Sequence, residues 1–116
     1  ELFLLVSTGS ATSDTRIVET MLADYEKTPI QVTTPTLVKV NDNRFLVMWQ
    51  EFETEKKEWL PIKYVYLDHS GKQIGKVQTL HPFFRLSTAQ PLVIDNKVIW
   101  TAVSEKHRFV YEMNVN

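Results

Sequence analysis

A pattern of strand-like segments recurs about every 44 residues and constrains the fold of this chain more than any other feature. The segment from Asp24 to Ile30 aligns with the segment from Asp68 to Ile74, 44 positions later. A second pair, Asp42 to Val47 and Asp95 to Trp100, is separated by 53 positions, so we expect a longer loop between those two units. Units of this size cannot bury their apolar faces alone, and the usual architectures are solenoids and propellers.

The clearest unit lies between residues 35 and 80. Thr36 to Val40 is rich in β-branched residues and ends in a turn signal at 41–43. Arg44 to Phe52 is a nearly continuous apolar run, which is typical of a strand buried on both faces. Ile62 to Leu67 and Lys76 to Leu80 alternate. We expect four short antiparallel strands here, which is the length of one propeller blade.

The flanking residues repeat parts of the same pattern. After residue 81, strand signals fall at 91–94, 97–103 and 108–115, the first three positions of a unit. Before residue 35, the signals at 2–7, 17–23 and 30–33 match positions two to four. The sequence therefore predicts an all-β segment of a β-propeller, with one complete four-stranded blade (35–80) between two incomplete blades (1–34 and 81–116).

Residues 15–27 also support a different interpretation. Ile17, Met21 and Tyr25 recur at helical spacing, and Ser13 or Asp14 could cap a helix there. A helix would make the chain a small α+β binding domain. We favour a strand over 16–23, because the repeat then also places Ile30 in the position of Ile74.

The stretch from Pro35 to Gly75 resembles the propeller-like repeats of large bacterial surface and RTX-type adhesin proteins. The matching residues are Pro35, Asp42, Phe45, Val47, Trp49, Asp68, Gly71 and Gly75. The resemblance implies a propeller and a surface location. The chain departs from the pattern at Asp42-Asn43-Arg44, where the family has Asp-Gly, and at Lys27-Thr28-Pro29, where a glycine belongs. It also lacks the glycine-rich calcium nonapeptide, so no calcium or other cofactor is expected.

Composition and motifs give little sign of catalysis. Net charge is −1, so no electrostatic footprint for nucleic acid is visible, and no apolar run is long enough to span a membrane. The chain has no cysteine and only three glycines, which leaves no thiolate site and little room for a phosphate-binding loop. The charged run from Glu51 to Glu58 is interpreted as a solvated hairpin loop.

Histidines and turn carboxylates have structural explanations. His69, His81 and His107 lie in polar surroundings without ligand spacing, so we expect no metal site. The recurrent aspartates all fall in turns, where their side chains cap backbone N–H groups. These are Asp24, Asp42, Asp68 and Asp95.

Aromatic residues supply the best candidates for binding. Trp49 and Trp100 end second strands and are expected to pack between blades. Phe83 and Phe84, in the loop between units, either plug a neighbouring blade, which we favour, or form an exposed contact patch. The predicted binding residues, for a protein or glycan ligand, are Trp59, His81, Phe83, Phe84 and Arg85.

The partial units predict open edges. A propeller needs at least about four blades to close its ring, and soluble proteins avoid long apolar edge strands. We expect the missing strands to come from a companion polypeptide, the chain being a fragment that starts at Glu1, or from identical copies.

Two functional hypotheses follow. The first is a non-catalytic propeller segment of a secreted or surface protein, which acts as a scaffold, adhesion or ligand-binding module. The alternative is a fragment of a propeller enzyme, such as a glycoside hydrolase or sialidase-like protein, whose catalytic residues lie mostly elsewhere.

Overall fold

The protein is all-β. A computed structural model describes residues 2–8, 16–81 and 84–115 of the 116-residue chain, and within these ranges every regular element is a strand. The twelve strands are β1 (Leu2–Thr8), β2 (Arg16–Ala23), β3 (Ile30–Val32), β4 (Thr36–Asn41), β5 (Arg44–Trp49), β6 (Glu51–Glu53), β7 (Glu58–Trp59), β8 (Lys63–Asp68), β9 (Gln73–Thr79), β10 (Leu92–Ile94), β11 (Lys97–Ser104) and β12 (His107–Asn114). No described segment forms a helix with the length and apolarity needed to cross a membrane.

The strands form four antiparallel sheets. We call β4-β5-β8-β9 the central sheet, β10-β11-β12 the C-terminal sheet, β3-β6-β7 the extension sheet and β1-β2 the N-terminal pair. The four-stranded meander predicted between residues 35 and 80 is present as the central sheet. The three strands predicted after residue 90 form the C-terminal sheet.

The extension sheet continues three strands of the central sheet. Ile30 pairs with Glu53 and Thr36 pairs with Met48, so β3 and β4 run antiparallel to β6 and β5 as one long hairpin. The pairing of Phe52 with Trp59 continues that of β5 with β8 in the same way. A break at Gln50 divides the long hairpin into two sheets, since a local irregularity in a ladder bends the strands.

Both faces of the central sheet are buried. Because side chains alternate along a strand, Leu46 and Met48 of β5 lie on one face and Val47 and Trp49 on the other. Leu46 and Met48 pack in a core with Val98 and Trp100 of the C-terminal sheet. Val47 and Trp49 pack in a second core with Leu22 of the N-terminal pair. Leu46 to Trp49 are buried on both faces, as predicted, but the predicted strand from Arg44 to Phe52 is divided at Gln50 into β5 and β6. Both tryptophans are buried in these cores, although Trp100 lies in the middle of β11 rather than at its end.

Residues 16–23 form a strand rather than part of a helix. β2 pairs with β1 along its whole length, from Thr8 opposite Arg16 to Leu2 opposite Ala23. The alternative of a helical α+β domain is therefore wrong. Leu22 packs on the central sheet and is buried, while Met21 is exposed. Leu2 pairs with Ala23 and Phe3 with Met21, so Leu22 is the extra residue of a β-bulge, which the helical spacing of the apolar residues did not indicate.

Two departures from the expected pairing concern the first unit. β3 was expected to be the fourth strand of the sheet that contains β1 and β2, but it pairs with β6 instead. The charged run Glu51–Glu58 is a hairpin as predicted, but it also contributes the paired strands β6 and β7. Glu51 is buried rather than solvated, with 4% of its surface exposed.

Candidate functional site

Trp59 stands at the surface where two strands of the extension sheet meet. It lies on β7 opposite Phe52, and the two rings are in edge-to-face contact with centroids 5.1 Å apart and planes at 61°. This geometry is favourable for aromatic pairs and limits the motion of the indole. Trp59 nevertheless keeps 40% of its surface exposed. It is therefore an ordered aromatic side chain that is available for contact.

Two grooves meet at this indole. The larger has a volume of about 350 Å³, within the range of about 300–1,000 Å³ usual for small-ligand sites. Its walls are two distant segments, 33–36 and 86–88, with Trp59 between them. The smaller groove, about 190 Å³, lies among residues 31–33, Phe52 and Trp59. We call the two together the Trp59 groove.

Of the other predicted binding residues, those that the structure describes (His81, Phe84 and Arg85) do not line the Trp59 groove. Phe84 packs against the core formed by the central and C-terminal sheets, and its ring meets Tyr111 edge-to-face at 5.1 Å. Phe84 is thus packed against the core of its own chain, and Phe83 lies outside the described residues. His81 is exposed beside a separate concavity of about 210 Å³ that contains Phe84 and Tyr111.

Arg85 lines a third concavity of about 660 Å³ near the β11–β12 turn. Its backbone carbonyl accepts a hydrogen bond of 2.9 Å from the indole Nε1 of Trp100. The loop before the C-terminal sheet is thus fixed by its backbone to the core. The structure does not bring Trp59, His81, Phe84 and Arg85 to one surface.

Gln50, which the sequence did not single out, holds the walls of the larger groove in place. Its Nε2 donates to the carbonyls of Leu60 and Phe84, both at 3.0 Å. Its Oε1 accepts from the backbone N–H of Leu86 at 3.0 Å, and its own N–H donates to Thr33 Oγ1 at 3.0 Å. Gln50 is buried, and both the oxygen and the nitrogen of its side-chain amide are hydrogen-bonded. Such a buried and fully hydrogen-bonded group holds the segments that it joins in place.

A second unpredicted cluster surrounds Glu51. Its carboxylate accepts a hydrogen bond from the Tyr25 hydroxyl and lies 3.7 Å from Lys63 Nζ. The Tyr25 hydroxyl in turn accepts a hydrogen bond of 3.1 Å from Trp49 Nε1. Burial, with the hydrogen bond to Glu51, raises the pKa of Tyr25 to about 12. These hydrogen bonds anchor the chain around Tyr25 to the buried ends of β5 and β6.

The predicted turn roles of two aspartates are confirmed. Asp68 Oδ1 accepts from the N–H groups of Ser70 and Lys72, both at 2.9 Å, and from Ser70 Oγ at 2.7 Å. The hydrogen bond from the Ser70 side chain is the main reason that the pKa of Asp68 is lowered. Asp24 Oδ1 accepts from the N–H of Glu26 at 3.0 Å.

The other two aspartates also lie in turns. Asp95 and Asn96 have φ angles of 50° and 61°, as a tight hairpin turn between β10 and β11 requires. At Asp42 the neighbouring Asn41 supplies the capping oxygen, which accepts from the N–H of Asn43 at 2.8 Å. Among the described residues, no group of three or more histidine, aspartate or glutamate side chains could hold a metal ion.

Comparison of the chain with protein-family models, curated proteins and solved structures gives no match. Inference about function therefore comes from the geometry and from the resemblance at residues 35–75.

Proposed function

We propose that this chain is a non-catalytic segment of a β-propeller, which serves as a scaffold and ligand-binding module of a secreted or surface protein. Its remaining blades come from another chain, from another portion of the same protein, or from identical copies. One observation carries the proposal: the C-terminal sheet exposes apolar side chains at positions whose counterparts in the central sheet are buried. The resemblance of residues 35–75 to adhesin repeats supports the surface location.

The 53-residue offset in the sequence relates residues of the central sheet to residues of the C-terminal sheet. That offset aligns Leu46 with Ile99, and the neighbouring strands place Val38 opposite Leu46 and Leu92 opposite Ile99. Val38 is 1% exposed because the C-terminal sheet covers it, whereas Leu92 is 62% exposed. Leu92 lies on the face of the C-terminal sheet that is turned away from the central sheet, which we call the outward face. Val110 lies on the same face and is 68% exposed.

Exposed apolar side chains such as Val103 and Val110, which share this face with the Lys97–Glu112 ion pair, are unfavourable in water and mark an interaction surface. The two internal interfaces suggest what covers it. The C-terminal sheet packs on one face of the central sheet, and Leu22 of the N-terminal pair packs on the other. By the 53-residue offset, the outward face of the C-terminal sheet corresponds to the face of the central sheet that the C-terminal sheet covers. A further sheet of the same type therefore fits this surface better than an unrelated partner.

Sedimentation velocity with mass spectrometry of the natively purified protein tests the proposal. We expect a species heavier than 13.5 kDa, which contains a companion chain or several copies. The substitution Val110→Lys should shift the protein toward the lighter form. Ile74→Lys is the matched control, because Ile74 is also an exposed apolar residue on an edge strand but belongs to the central sheet rather than to the C-terminal sheet. A folded 13.5 kDa monomer at all concentrations would contradict the proposal.

A further inference from the structure

We propose that the Trp59 groove binds a neutral oligosaccharide, with one sugar ring stacked on the indole of Trp59. The site gives a ligand class to the binding module proposed above and rests on that function. It does not depend on which polypeptide completes the sheets, because its walls all belong to this chain.

The three tryptophans of the chain differ in a way that singles out Trp59. Trp49 and Trp100 are buried, and their Nε1 groups donate to the Tyr25 hydroxyl and the Arg85 carbonyl. Trp59 is the partly exposed one, on a strand of only two residues. Its contact with the ring of Phe52 holds the indole in one orientation before a ligand arrives. Such preorganisation reduces the entropy lost on binding.

The walls of the larger groove match the chemistry of a sugar. None of its eight lining residues carries a charge, although charged residues make up 23% of the chain. Five are serine or threonine, whose hydroxyl groups both donate and accept hydrogen bonds. The lining residues are Thr33, Thr34, Pro35, Thr36, Trp59, Leu86, Ser87 and Thr88. A sugar ring presents an apolar C–H face and a rim of hydroxyls, so it fits an indole bordered by hydroxyl groups.

The shape indicates more than one sugar unit. The smaller groove continues past Trp59 toward Gln31 and Val32, so a chain of rings could cross the indole and occupy both sides. The residues of the adjoining turn and strand start, from Glu55 to Glu58, carry two acidic and two basic side chains. This balance gives no preference for an anionic ligand such as a nucleic acid.

A proline-rich peptide is the main competitor for the site, since such peptides dock on grooves lined by aromatic rings. The groove offers it a poor surface. Phe52 meets Trp59 edge-on rather than side by side, so the pair does not form a slot between parallel rings. The remaining walls are hydroxyl-bearing or aliphatic.

Isothermal titration calorimetry with neutral oligosaccharides of glucose, galactose, mannose and N-acetylglucosamine, from two to six units long, tests the site. We expect at least one series to bind, with affinity rising from two units to three or four. Trp59→Ala should weaken binding by about tenfold or more, as truncation of a central aromatic anchor does. Trp59→Phe should retain part of it. Ile74→Ser is the control at an exposed apolar residue outside both the groove and the proposed assembly surface, and it should leave binding unchanged.

A second variant keeps the test decisive if Trp59→Ala unfolds the β6–β7 hairpin. Thr88 is exposed at the groove wall, and Thr88→Arg would fill the groove without removing a core side chain. It should abolish oligosaccharide binding. The assignment would be overturned if Thr88→Arg bound oligosaccharides as tightly as the unmodified protein, or if no oligosaccharide bound at all. Binding of a proline-rich peptide that depends on Trp59 would also overturn it.

Sedimentation of the same variants separates the two proposals. Trp59→Ala and Thr88→Arg should sediment like the unmodified protein. Loss of sugar binding with intact assembly therefore tests the groove alone, and loss of assembly with intact sugar binding tests the stacking of sheets alone.

Discussion

The central sheet and the C-terminal sheet follow the same pattern of turns and strands, yet their outward faces differ. β5 of the central sheet is packed against apolar side chains on both of its faces, and its last four residues, Leu46 to Trp49, are buried. β11 of the C-terminal sheet alternates instead, with Val98, Trp100 and Ala102 buried and Thr101 and Val103 exposed. The comparison teaches that the sequence of a strand records how many sheets it contacts. A continuous apolar run indicates two partners, and an alternating one indicates a single partner within the described chain.

The largest expected contrast between the two sheets is in stability. Leu46→Ala should lower the free energy of unfolding by about 2–5 kcal/mol, because it leaves a cavity between packed sheets. In the C-terminal sheet, Leu92 lies opposite Ile99, the counterpart of Leu46. Leu92→Ala should lower the free energy of unfolding of the dissociated chain by about 0.5 kcal/mol or less, since the Leu92 side chain is already in water. Urea denaturation of both variants measures the difference. Equal losses would show that the two faces are equally covered.

Gln50 tests whether the break in the long hairpin is a rigid junction. Gln50→Met keeps the side-chain volume but leaves the carbonyls of Leu60 and Phe84 and the N–H of Leu86 without their partner. We expect a loss of about 1–3 kcal/mol in unfolding free energy. Gln78→Met is the matched control, because Gln78 is exposed and bonds the Tyr64 hydroxyl at the surface. Faster hydrogen exchange at 84–88 should accompany the loss, and unchanged exchange there would argue against a junction.

Tyr25 provides a pH-dependent test on the opposite side of the central sheet. The pKa of Tyr25 is raised from 10.0 to about 12 in the folded protein, mainly by burial. Its contribution to stability is therefore complete below pH 10 and is lost as the pH rises toward 12. In Tyr25→Phe, the decline in stability over that range should be shallower than in the unmodified protein. Tyr64→Phe serves as the control, and identical pH profiles for Tyr25→Phe and the unmodified protein would refute the anchoring role.

Much of the fold could be predicted because its signals are local. The turn residues at Asp42, Asp68 and Asp95 fixed where hairpins reverse, and the strands between them were placed to within a few residues. The pairing of β3 was not predictable in this way. β3 pairs with the charged run, in which Glu51 is buried with Tyr25 and Lys63 at its carboxylate. A charged run in sequence gives no sign of partners that lie 12 and 26 positions away.

The candidate site was predictable only in part. Trp59 was singled out because a large aromatic residue in a charged loop is difficult to bury. Its surroundings were not, since segments 33–36 and 86–88 are brought to it by tertiary packing and by the hydrogen bonds of Gln50. The sequence analysis predicted one binding surface for Trp59, Phe84 and Arg85. In the structure, Phe84 and Arg85 line two other concavities.

The central claim is that the outward face of the C-terminal sheet is covered by another sheet in the assembled protein. Because the chain has no cysteine, the thiol of Val110→Cys is the one labelled on this chain, which mass spectrometry separates from any companion chain. In the natively purified assembly, we predict that this thiol reacts at least about tenfold more slowly than that of Ile74→Cys, and that mild dissociation equalises the two rates. Equal rates in the assembly would contradict the claim.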